Sequence, residues 1–149
     1  MDSLATRRNG ASDILSRLRG QSLVEFSLIL TLVLLVILLA IQFALIGEAA
    51  LALGQMDYQG ARYAAVNPNA DQTAVTSYMV STGSPTVTAN NGANLTVTLT
   101  PSTTPRTFGQ PVTVSVVFNA ASLVVLPNPF FGISFPTQLQ STETAMTEG

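Results

Sequence analysis

The sequence predicts an α+β protein in which a long N-terminal helix, transmembrane in its first part, continues into a small domain with an antiparallel sheet of three to four strands. Three observations carry this. Residues Leu23 to Ile46 read LVEFSLILTLVLLVILLAIQFALI, an apolar run with one charge, Glu25. Helical periodicity then goes on to about Val66, with Ala49, Leu53, Met56, Gly60 and Tyr63 at alternating spacings of four and three. Beyond residue 85 the texture changes to Thr and Ser alternating with apolar residues, the period of half-buried strands.

Composition bounds the function. A chain of 149 residues that spends a segment on an anchor has room for one modest domain and no large enzyme core. The basic residues are Arg7, Arg8, Arg17, Arg19, Arg62 and Arg106, with no Lys, so no basic patch suited to phosphates exists beyond residue 20 and nucleic acid is not an expected partner. There is no Cys, which removes disulfides and thiolate ligands. There is no His either, and with it go the usual general base at neutral pH and every Ser-His-Asp or Cys-His arrangement. No carboxylate pair stands out among Glu48, Asp57, Asp71, Glu143 and Glu148. The expectation is a non-catalytic domain without metal or cofactor.

The anchor comes first. Eighteen of the twenty-four residues from Leu23 to Ile46 are Leu, Ile, Val or Phe. At about −0.3 to −0.6 kcal/mol each they favour insertion by roughly 8 kcal/mol, against about +3 for one carboxylate at the bilayer centre. A helix of this length, about 36 Å, crosses a hydrocarbon core of about 30 Å with some tilt. A cleaved secretory signal is the competing reading, with Ala50-Leu51-Ala52 as its cleavage pattern, but such signals have shorter apolar cores. Residues 1–20 hold four Arg and two Asp, whereas the far flank holds Arg62 against Glu48, Asp57 and Asp71. The positive-inside rule places the N-terminus in the cytoplasm and the domain outside it. The expected divisions are a cytoplasmic basic leader at 1–20, a transmembrane helix at 21–46 and an extracytoplasmic domain at 47–149.

The segment Arg19-Gly20-Gln21-Ser22-Leu23-Val24-Glu25-Phe26, running straight into the apolar helix, resembles the prepilin peptidase site of type IV pilin-like proteins. Its wording, with Gln at the first position after Gly, is closest to TadE-like minor pilins, or pseudopilins, of tight-adherence (Flp) pilus systems. Gly60-Ala61-Arg62-Tyr63-Ala64-Ala65 and, weakly, Thr144-Ala145-Met146-Thr147-Glu148 extend the likeness. The resemblance implies a pilin-like domain, a leader cut between Gly20 and Gln21, and a carboxylate at Glu25 that pairs with an N-terminal amine during assembly. It also implies as partners the bacterial inner membrane, a prepilin peptidase, and other pilin-like subunits and assembly proteins. The chemistry is coherent on its own terms. Gly20 gives the backbone freedom a peptidase needs, cleavage would leave an α-amine of pKa about 7.7–8.0 on Gln21, and positions 21 and 25 share a helix face. A first-turn Glu also suits the helix dipole. Without any partner, Glu25 would be an interfacial carboxylate reaching toward the headgroups.

In the domain, the small-residue seam from Ala49 to Tyr63 packs on the protein's own sheet or on another helix, with Glu48, Gln55, Asp57 and Gln59 placed elsewhere around the helix. Arg62 is a solvated end-of-helix charge or an ion-pair partner of Asp57 or of another subunit. The helix stops before Pro68. Asn69 with Gln72 reads as a capping box and Gly83 as a stop, predicting a helix over 70–81. Strands are predicted at Pro85–Ala89, Asn94–Thr100 and Val112–Phe118, with Asn90-Asn91-Gly92 turning between the first two and a further strand in 137–147. The proline-rich stretch around Phe130 and Phe131 is a loop that folds over the sheet edge or offers a partner surface. Asn94-Leu95-Thr96 matches a glycosylation acceptor by chance. The rival functional class is a signal-anchored binding or adhesive domain that never enters a filament and uses its Thr-rich strands for contact.

Overall fold

The computed structural model describes residues 21–148. Its elements are α1 (Ser3–Val66, described from Gln21), α2 (Gln72–Thr82), α3 (Pro85–Gly92), β1 (Leu95–Thr100), β2 (Pro111–Asn119), a 3-10 turn (Ala120–Leu123) and β3 (Gln138–Met146). The chain divides into two compact units, Met1–Ala40 and Ile41–Gly149.

In the first unit the described residues are all helical. Large apolar side chains are exposed around its whole circumference, Leu23, Phe26, Leu28, Leu32 and Val36 among them. A helix apolar all round is suited to hydrocarbon and not to water. The Thr31 hydroxyl turns back on the helix backbone and donates to Ser27 O at 2.8 Å. Among the described residues α1 is the one helix long and apolar enough to cross a membrane, and it fits a single-pass anchor.

The second unit is a mixed α+β domain whose sheet has the order β1-β2-β3, antiparallel throughout. The central strand sets the core, because Val112, Val114, Val116 and Phe118 alternate onto one face and all are buried. Val97 and Leu99 of β1 continue that face, and the register pairs Val97 with Val116 and Leu99 with Val114. The seam predicted for α1 supplies the opposite wall: Ala49, Leu53 and Met56 are buried and join these strands in one cluster with Val75, Met79 and Val87. Each fully buried Val, Leu or Met contributes about 1.5–3 kcal/mol. Small residues let the layers close, and at Gly60 a Cβ would stand 2.5 Å from Met79 Sδ. Tyr63 lies half-buried with its ring stacked on Tyr78 at 4.3 Å.

Several local expectations are corrected. Residues 85–88 of the expected strand form a helical turn, because Ser84 caps it through Thr86 N and Pro85 sits at its first position, and Ala89 leaves the helix with ψ 147°. The turn at 90–92 therefore closes α3: Asn90, Asn91 and Gly92 have φ of 54°, 59° and 74°, conformations that Asn and Gly tolerate best. The cap of α2 is Asp71, whose carboxylate accepts Ala74 N at 2.8 Å, in place of Asn69. Asp57, expected on the polar side of α1, is 2% exposed. On the outer face of the sheet the hydroxyls bond one another across strands, Thr113 with Thr144 at 2.8 Å and Thr142 with Ser115 at 3.0 Å.

Candidate functional site

The junction is built by helix geometry. Gln21 and Glu25 are one turn apart, and Gln21 Nε2 donates to Glu25 Oε1 at 3.1 Å on an exposed face of α1. Gly20 and the basic leader lie outside the described residues. The Leu23–Phe26 turn that follows is exposed throughout and apolar except at Glu25.

The remaining ionisable groups are spread over the domain. Arg62 is exposed and lines an open cavity of about 630 Å³ with Tyr58, Phe108, Glu143, Met146 and Glu148. Among the described residues no ion pair joins these charges, and Arg62 does not pair with the buried Asp57. Glu143 stands on the helix-facing side of β3, opposite Val114. An inward-facing charge on an edge strand discourages pairing with another edge. Among the described residues no group of three His, Cys, Asp or Glu could hold a metal ion.

Two residues of structural weight were not singled out from the sequence. Arg106 is 4% exposed. Its Nη2 donates to Ala64 O, Asn67 O and Ala70 O at 2.9–3.0 Å, while its own N–H reaches Pro68 O at 3.0 Å. The guanidinium caps the carbonyl end of α1, where the helix dipole favours a cation, and burial lowers its pKa by desolvation. Gln42 is the second. Though counted within the apolar run, it is 1% exposed; Nε2 donates to Leu123 O at 3.0 Å and Oε1 accepts Val125 N at 2.7 Å and Leu126 N at 3.4 Å. A lone Gln in an apolar helix was the available signal, and what it binds lies more than eighty residues away.

Comparison with known families places a match over residues 20–62, to the family described as TadE-like protein. Over this stretch the chain is similar to that family. The TadE-like segment contains Gly20, Gln21, Glu25, the whole apolar run and the domain's helical seam as far as Arg62. Comparison with curated proteins and with solved structures gave no match.

Proposed function

We propose that this TadE-like chain is a structural, non-catalytic minor pilin or pseudopilin that takes part in assembling a tight-adherence (Flp-type) pilus. A prepilin peptidase cuts after Gly20 at the cytoplasmic face, α1 holds the product in the inner membrane, and the domain from residue 47 onward lies outside the cytoplasm. The observation that supports this most directly is that the family match begins at Gly20 and carries Gln21 and Glu25, whose side chains meet on one helix face. Cleavage converts Gln21 into a mostly protonated amine beside that carboxylate. In a filament the same carboxylate neutralises the amine of a neighbouring subunit, and low dielectric strengthens the pair and sets axial register.

The test is mass spectrometry of the full chain co-expressed with its own prepilin peptidase. A mature species beginning at Gln21 is the expected result. A chain that keeps Met1 to Arg19 would discard the processed-pilin mechanism and favour a signal-anchored binding or adhesive domain. Protease added to spheroplasts should digest the domain; protection until lysis would reverse the orientation.

A further inference from the structure

The segment from Val124 to Pro136 reads VVLPNPFFGISFP, thirteen residues without a charge. Its apolar side chains divide into two sets. Leu126 and Phe135 are buried, and Phe135 packs edge-on against Phe43 of α1 at 5.9 Å. Val125, Phe131 and Ile133 point away from the core, at 68%, 81% and 44% exposure, beside a Phe43 that is itself 58% exposed. The segment is seated on Gln42 and Phe43, which fall within the apolar run ending at Ile46.

Part of its backbone is hydrogen-bonded within the domain. Pro127, Pro129 and Pro136 carry no N–H. Val125 and Leu126 donate to Gln42, Phe130 and Ile133 exchange two hydrogen bonds at 2.9 Å, and Asn128 takes both the N–H and the C=O of Phe135 at 3.0 Å. The N–H groups of Phe131, Gly132 and Ser134 at the tip have no partner among the described residues, which suits the hydrated headgroup boundary and not the hydrocarbon centre. The tip is a two-residue turn with Phe131 at φ 47° and Gly132 at φ 81°. Asn-Gly is the ordinary occupant of such a turn, and an aromatic residue there is strained. The turn leaves the Phe131 ring exposed.

We propose that this loop is a membrane-interface wedge: Phe131, Val125 and Ile133 enter the headgroup and acyl boundary of the leaflet through which α1 emerges and fix the height of the domain on the bilayer. The occupant is lipid because the patch is uncharged and continuous with the apolar run of the anchor at Phe43. The inference rests on α1 as an anchor and is independent of leader processing.

The chain has no Trp, so Phe131→Trp introduces a single reporter. The full chain would be reconstituted in phosphatidylcholine and phosphatidylglycerol vesicles, with and without lipids brominated on their acyl chains. Phe108→Trp is the comparison, since Phe108 is 80% exposed beside Tyr58 and Ala65, beyond the apolar run. Indole emission from the Phe131→Trp protein should be blue-shifted and largely lost in brominated lipid, while emission from the Phe108→Trp protein stays water-like and unquenched. Val125→Trp repeats the measurement from the other side of the patch should the Phe131 turn reject the indole. Equal, weak quenching at all positions overturns the proposal. So does a blue shift that is insensitive to bromine and vanishes on dilution with lipid, because a second copy then covers the loop. Flotation with the vesicles reports the anchor separately.

Discussion

Gln42 Oε1 accepts the backbone N–H of Val125 at 2.7 Å, across eighty-three residues of sequence. One side chain in the apolar run thereby satisfies two amides and a carbonyl of the loop after β2.

Gln42→Leu should favour membrane insertion yet loosen that loop. Orphaning buried amides and a carbonyl costs about 1–3 kcal/mol each, partly relieved by local rearrangement, so a local loss of about 2–4 kcal/mol is expected. Hydrogen exchange at Val125 and Leu126 should accelerate by roughly 30-fold or more. Unchanged protection would mean that packing of Leu126 and Phe135 holds the loop alone.

Arg106→Ala should remove the three-carbonyl cap of α1 and cost about 3 kcal/mol, the scale of several charge-assisted hydrogen bonds less relaxation. Arg106→Lys should recover a part of this, since an ammonium has three donors but no fork. Thermal unfolding of the three proteins gives the order; equal stability of Ala and Arg would show that the helix end is held by Pro68 and the Tyr63–Tyr78 stack.

Gly60→Ala gains about 1 kcal/mol of helix propensity but drives a methyl into Met79 Sδ in a closed core. Overpacking of this kind costs about 1–3 kcal/mol, so a net loss of about 1 kcal/mol is expected in denaturant unfolding. A gain would show that Met79 has a vacant rotamer to move into.

Glu25→Ala should separate processing from assembly. Membrane integration is retained or improved, because a carboxylate is removed from the apolar run, and cleavage after Gly20 continues. Filament or complex formation should fail, with a buried unpaired amine costing about 3–5 kcal/mol. Normal assembly of the variant, seen by electron microscopy, would remove the pairing role and leave processing intact.

Replacing Gly20 by a bulky residue should block cleavage without affecting insertion, since the side chain crowds the extended backbone the peptidase grips. Full processing of such a variant, read by mass spectrometry, would move the scissile bond elsewhere.

The sequence determined by itself what depends on neighbours along the chain. The anchor follows from unbroken hydropathy, the end of α1 at Val66 from Pro68, the core-facing seam from its spacing, and the positions of β1 and β2 from period-two alternation. The contact between Gln21 and Glu25 was equally legible, because it follows from helix geometry alone. Short-range competition misled the reading only where two local signals overlapped: Ser84-Pro85 opens a helix as readily as Thr alternation suggests a strand. What the tertiary structure alone decided is where distant polar groups find partners. Arg106 caps a helix that ended forty residues earlier. Gln42 changes from a tolerated polar residue in an anchor into the post that holds the Phe131 loop. Periodicity reports which face of an element is apolar, but the partner of a buried hydrogen-bonding group is set by chain closure between remote segments, and no local pattern encodes it.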